Sequence, residues 1–363
     1  MIDPAADHLL IIGTYTDVLP HVSGHGRGIE VLGFDSRTGE ITPGHVFGGL
    51  RNPTWVVPNR AGTRLYALGE VSAAEGAAIT CFALDVGTGT LARLAAVPAG
   101  GDGPCHLSLD TAETCLFVSN YAGGSVVSIP LDAGGTPVAA GMRVIQHEGQ
   151  GPNPARQEGP HVHQALPTPD RQHVLVCEAG LDRILRYPLE AGGLAPRPNL
   201  ALAADPGSFP RHLAFLPDGP GFLVLHELSN QIDAYRFTDT GAERVGTLPG
   251  LPADWAGESS GAAIRIHSSG RFAYASHRGH DSIQGVDLTS GLGAMRAIGW
   301  WPTGGRVPRD FNLGPQGHFL IAANQDSDSL LVFTIDQDSG ALSRIGAPFL
   351  VATPVCVVII PRG

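Results

Sequence analysis

The side chains able to do chemistry in this chain are concentrated in a few short stretches. Residues 210–235, PRHLAFLPDGPGFLVLHELSNQIDAY, hold Arg211, His212, His226 and Glu227. GPHVHQ at 159–164 holds His161 and His163, and SHRGH at 276–280 holds His277 and Arg278. Arg309 and Asp310 follow Pro308, and His106, Glu178 and Arg265 complete the set. Guanidinium groups suit bidentate anion binding and a developing oxyanion; imidazole and carboxylate suit proton transfer. His161 and His163, two apart on a strand, share a face and also suit a metal, with Glu178 or Glu227 as third ligand; hydrogen bonding to a substrate or to carbonyls is the alternative. Glu227 has a structural alternative too, an ion pair with Arg211, and Arg309–Asp310 reads as an internal pair. No convincing Ser/His/Asp set is present, so serine-centred hydrolysis finds no support.

Composition narrows the classes. All 23 cationic residues are Arg, which excludes Schiff-base lysines and a P-loop. A net charge of -11 argues against nucleic acid or an anionic membrane as a general partner. A small anionic substrate would need a local arginine cluster. Cys81, Cys105, Cys115, Cys177 and Cys356 form no CxxC pair and read as buried thiols in a reducing compartment. MIDPAADHLLIIGTYT lacks a basic n-region and a long apolar run, so the expected location is cytoplasmic.

The elements that must position these groups recur along the chain. Units start at Pro53, Pro104, Pro160, Pro210, Gly261, Pro308 and Pro354, steps of 46 to 56 residues. Each reads as a strand, a turn near "PDG", a second strand, a polar loop and a third strand. In 210–235 these are Arg211–Leu216, a turn at 217–219, Phe222–His226 and Gln231–Phe237. The last unit stops after one strand, and its missing strands stand at the other end, in LLIIGTYT and GIEVLGFD. Six whole units and one split unit make an all-β, seven-bladed β-propeller, with residues 354–363 closing the blade begun by 9–45. The expectation is a single domain over 1–363. In a propeller the starts of first strands and the ends of second strands meet on one face. That places His106, His161, His163, Arg211, His212, Arg265 and Arg309 there, with Glu178, His226, Glu227, His277 and Arg278. His8, His21, His25, His45, His147 and His173 read as residues of loops or outer strands without a role.

GTYT, GPHVHQ, FPRHLAFLPDG, HELSNQI, SHRGHDSI and PRDFNLGPQGHFLIAANQDSDSLLVF together resemble the seven-bladed propeller lactonase family, which includes 6-phosphogluconolactonases and carboxy-cis,cis-muconate cyclases. The resemblance implies His163, Arg211, Glu227 and Arg278 as catalytic residues, with His161 the rival to His163. It places His161, His106, His212, His226 and Arg309 around the substrate. It implies metal-free hydrolysis of a sugar δ-lactone, 6-phosphogluconolactone, without a cofactor, by a monomer or dimer. Glu227 is the general base, or His163 if Glu227 is locked to Arg211. Two alternatives stand beside it: a lactonizing enzyme of aromatic catabolism, and a non-catalytic scaffold presenting Trp255, Trp300 and Trp301. His226 and His277 depart from the family pattern, which has Asn at both places.

Overall fold

The second strands of the repeats are apolar runs buried on both faces, whereas the fourth strands alternate toward solvent. Cys115–Asn120, Gly221–His226 and Phe319–Asn324 are buried throughout, while Thr90–Pro98 is mostly exposed. A strand covered on both faces reads as a continuous apolar stretch. A computed structural model gives the structure of residues 2–217, 219 and 221–362. The expected turn at Asp218 therefore lies outside the described residues.

Seven antiparallel sheets follow the repeats, and we number them as blades from the N-terminus. Blade 1 is the split one: its strand order is Pro354–Pro361, His8–Thr14, Ile29–Phe34 and Ile41–Phe47, so the C-terminal strand does join the N-terminal blade. Blade 2 spans 56–98, blade 3 spans 104–146, blade 4 spans 162–203, blade 5 spans 210–248, blade 6 spans 260–302 and blade 7 spans 308–350. Blade 4 carries a fifth short strand, Gly193–Leu194. The expected strand limits shift by one to three residues. Blade 2 begins its first strand at Val56 instead of Pro53, and blade 4 at Val162 instead of Pro160.

The chain forms two compact units. One comprises the chain up to residue 45 with 211–362, and so holds blades 1, 5, 6 and 7; the other is 46–210, with blades 2, 3 and 4. In both, the core lies in layers between neighbouring blades. Leu10, Ile12, Ile321, Leu330 and Val357 pack blade 7 on blade 1. Leu223, Ile232, Ile264 and Ala275 pack blade 5 on blade 6. In the second unit Leu68, Ile79, Leu116 and Val127 pack blade 2 on blade 3. Among the described residues no helix is long and apolar enough to cross a membrane.

A polar clasp sets where the first strands of blades 5, 7 and 1 begin. Asp182, Asn230, Asp281 and Asp328 stand at the turns between second and third strands with φ from 48° to 57°. Short Asn and Asp side chains tolerate this left-handed conformation. Asp281 Oδ1 accepts from the Val307 amide and Asp328 Oδ1 from the Thr353 amide, each at 2.8 Å; Asp182 Oδ1 accepts from Phe209 at 2.8 Å. The clasped residues Phe209, Val307 and Thr353 themselves have φ of 67°, 58° and 46° and each precedes a proline. A β-branched residue there is strained by about 1–3 kcal/mol. The clasp offsets that strain and fixes the first residues of the next strand, where the candidate side chains stand.

Candidate active site

Most first strands start with a bulge. Pairing skips one residue between Pro104 and His106, between Val162 and Gln164, and between Pro308 and Asp310. The extra residues are Cys105, His163 and Arg309. An unpaired bulge residue bends the strand and re-aims its side chain. Arg211, following Pro210, occupies the corresponding place in blade 5.

In the unit of blades 1, 5, 6 and 7 the structure brings Arg211, Glu227 and Arg278 together. Arg211 Nε donates to Glu227 Oε2 at 3.1 Å, and Arg278 Nη2 lies 3.2 Å from the same oxygen. The Arg211 side chain is 4% exposed and that of Glu227 8%, with Arg278 at 14%. Arg211 also donates to the Ala262 carbonyl and to His212 Nε2 (3.4 Å), and Arg278 to the Gly261 carbonyl at 3.0 Å. Two guanidinium groups on one carboxylate oxygen compensate its burial and hold both forks in fixed orientation. The lock between Glu227 and Arg211 raised by the sequence is therefore present, and Arg278 shares it.

Arg309 and Asp310 do not form the expected internal pair. The bulge turns them apart: Asp310 accepts from Arg265 at 2.9 Å and from the Val357 amide at 2.9 Å, while Arg309 donates to the Tyr15 hydroxyl at 3.0 Å and lies over its ring. Burial holds the Asp310 carboxyl above its ordinary range, against the nearby Arg265 charge. Arg265 is thus taken up by Asp310.

His226 is the clearest correction. It was expected to face substrate, yet it is fully buried and its Nε2 bonds Asp233 Oδ2 at 3.1 Å. Arg244 and Thr247 bond the same carboxylate at 3.1 and 2.7 Å. Burial alone would raise Asp233; hydrogen bonds from His226, Gln231 and Thr247 outweigh it and hold the carboxyl well below the usual range. His277 is equally buried, between Asn230 Oδ1 (3.1 Å) and Gln284 Oε1 (3.2 Å). Burial pushes its imidazole down to about 4, against the Gln284 hydrogen bond. The two departures from the family pattern therefore repack blade interiors.

In the unit of blades 2, 3 and 4 the histidines gather on Tyr121. Its ring stacks on His161 (centroids 4.5 Å, 19° between planes) and meets His163 edge-on at 5.6 Å. The one-face reading of His161 and His163 fails in its stated form, because His161 precedes the strand and His163 sits on the bulge. His161 Nδ1 lies 3.0 Å from the Tyr121 carbonyl and its Nε2 3.3 Å from Glu158. His106 packs against Trp55 and lies 3.4 Å from Gln164. Glu178 gives one oxygen to the His161 amide (2.6 Å) and the other to His147 Nδ1 (2.5 Å). Both oxygens are thus engaged, and among the described residues no three His, Cys, Asp or Glu side chains converge as a metal site. Sequence reasoning missed His147 and Asp233. His147 sits in a Gly- and Pro-rich linker with no periodic signal, and Asp233 looks like an ordinary third-strand residue. Four of the five thiols are buried as expected, and Cys105 is half-buried.

A family model described as "Lactonase, 7-bladed beta-propeller" matches residues 9–359. A 6-phosphogluconolactonase of Bacillus subtilis is 32% identical over 348 residues, covering 95% of this chain and 96% of its own. Among solved structures, a putative 6-phosphogluconolactonase from Bacteroides uniformis superposes with a TM-score of 0.88 at 31% identity over 98% of this chain and 100% of its own. A periplasmic gluconolactonase of Pseudomonas aeruginosa gives 0.88 at 28% identity, over 98% of this chain and 99% of its own. The blades, the closure of blade 1 and these matches lead to one assignment: the chain belongs to the lactonase family of seven-bladed β-propellers.

Proposed function

We propose that the protein hydrolyses a sugar δ-lactone, with 6-phosphogluconolactone as its substrate. The observation that carries this reading is the pairing of Arg211 and Arg278 on one buried oxygen of Glu227. In a chain of net charge -11, that cluster supplies the cations an anionic lactone needs. Names borne by the relatives support the substrate class.

Lactone hydrolysis adds water to the ring carbonyl, then expels the ring oxygen. The carbonyl oxygen gains negative charge in the tetrahedral intermediate, and the departing alkoxide takes up a proton. Arg211 and Arg278 have the role of stabilising that charge and binding the substrate's anionic group; removing one such donor commonly lowers kcat by about 10²–10³. Glu227 Oε2 is engaged by both guanidinium groups, so its role here is to hold them. His163 then takes the proton from water and returns it to the leaving oxygen. The cytoplasm is the proposed location, where a sugar phosphate would be made and kept.

Initial rates on 6-phosphogluconolactone, gluconolactone and a carboxylated muconolactone test the reading. The phosphorylated lactone should be turned over with the highest kcat/KM, and E227Q and R211A should each lose at least a hundredfold. Wild-type rates in both variants overturn the assignment of the site. Preference for the muconolactone moves the protein to the cyclase branch, and loss of activity on chelation restores a metal.

A further inference from the structure

The lead-in to blade 4 ends in a buried directional chain of hydrogen bonds. Tyr187 is 1% exposed and its hydroxyl lies 2.9 Å from His147 Nε2. The rings are parallel, 2° apart. Burial, with the Glu178 charge adding, pushes the Tyr187 hydroxyl up to about 12, so it remains protonated and can donate. His147 Nε2 then accepts, which leaves the proton on Nδ1 to donate to Glu178 Oε2 at 2.5 Å. Glu178, fully buried, gives its other oxygen to the His161 amide at 2.6 Å. The chain runs Tyr187 to His147 to Glu178 to the His161 backbone. A second bond, from the Ala179 amide to the His161 carbonyl at 2.9 Å, fixes the other side of the same residue.

What this chain fixes is the approach to His163. Val162 pairs directly with Glu178, and the next residue is the bulged His163. Asn120 and Asn324 take the place of Glu178 in blades 3 and 7, where a neutral amide makes the clasp. Blade 4 alone among these three puts a carboxylate there, and it couples that carboxylate to an imidazole and a phenol. A buried charge is an expensive way to hold a loop that an amide can hold.

We propose that Glu178 and His147, oriented by Tyr187, are positioning residues: acting through the His161 backbone, they set the bulge that aims His163 for the lactonase reaction. This rests on the lactonase reading for its kinetic consequence and on the geometry alone for its structural one. Glu178→Gln keeps the shape but puts an amide NH₂ where the His147 Nδ1–H donates, so the bonds re-form only with the His147 proton on Nε2 and the direction of the chain reversed. His147→Leu removes the link, while His147→Gln offers one donor and one acceptor in its place.

The experiment compares E178Q, H147L, H147Q and Y187F, each checked for folding by circular dichroism. E178Q and H147L should lower kcat at least tenfold with KM within about threefold. H147Q should restore most of that loss, and Y187F should lose only about threefold. NMR of the His163 imidazole, without substrate, should show its resonances moved in E178Q and H147L and near the wild-type positions in H147Q. Folded E178Q and H147L with kcat within twofold of wild type overturn the proposal, whether or not the resonances move. If E178Q fails to fold, H147L and Y187F decide by the same criteria. If the wild type hydrolyses no lactone, the functional reading falls, and unmoved His163 resonances then overturn the positioning role separately.

Discussion

At the end of the second strand, or one residue before it, four of the blades carry one of two residue types, asparagine or histidine. In blades 3 and 7 it is an asparagine. Asn120 donates to the Ala99 carbonyl and to Ser125; Asn324 donates to the Thr303 carbonyl and to Ser329. Both clasps need only a loop carbonyl and a serine five residues on. In blades 5 and 6 it is a histidine, last in the strand in blade 5 and next to last in blade 6, and each reaches a polar partner seven residues on: His226 to Asp233, His277 to Gln284. At that spacing blades 3 and 7 have Val127 and Leu331, which cannot serve. The longer imidazole thus requires a diagonal neighbour on the third strand, and the chain supplies one only where it uses histidine. The amide clasp closes on the directly paired serine that starts the third strand, while the imidazole clasp reaches the diagonal neighbour two residues further along it, and next to the histidines stand Glu227 and Arg278.

The widest separation between the two kinds of blade should appear in catalysis. Arg211→Ala in blade 5 should lower kcat/KM by about 10²–10³, while Asn324→Ala in blade 7 should leave it within about threefold. Equal losses would erase the functional distinction between the blades.

Stability comes next. Asp233→Leu leaves His226 and Arg244 without their carboxylate and should destabilise by about 3–5 kcal/mol in urea unfolding. The carboxyl of Asp233 is held below its ordinary range, so its contribution is present above about pH 4, the unfolded value, and is lost as pH falls further. D233L should remove that part of the acid dependence.

A swap sharpens the comparison further. Asn324→His faces Leu331 and should cost about 1–3 kcal/mol, the penalty of an unsatisfied buried group. His277→Asn finds Ser282 five residues on, as Asn120 finds Ser125, and should be close to neutral at pH 8. A cost for H277N at pH 8 as large as that for N324H would show that the partner seven residues on does not decide the choice.

The last effect is one of pH. His277 is held near 4 by burial while the unfolded imidazole titrates near 6.5. The unfolded state therefore binds the proton first, and stability should fall as pH drops from about 6.5 to 4, by up to about 3 kcal/mol, and be unaffected above. H277N should flatten that slope in thermal melts, and an unchanged slope would exclude His277 as its source.

Much of this was legible in the residues. The repeat of apolar runs and turn residues located all seven blades, and the truncated last unit located the closure of blade 1. Arg211, Glu227 and Arg278 were legible as candidates because the repeat sets them at first-strand starts and second-strand ends and the family resemblance singles them out. The lock of Glu227 to both arginines was not, since it depends on side chains from neighbouring blades. His226 and His277 misled for the opposite reason: a histidine beside a site residue has the same sequence signature whether it faces outward or into the blade.

By itself the sequence determined the all-β class, the number of blades and which residue types stand at strand ends, because period and alternation follow from backbone geometry alone. Only the tertiary structure decided which of those residues meet. One bulged residue re-aims His163 and Arg309, a left-handed Asp clamps the next strand, and burial turns His226 and His277 inward. These depend on distances between strands far apart in the chain, and no local pattern carries that information.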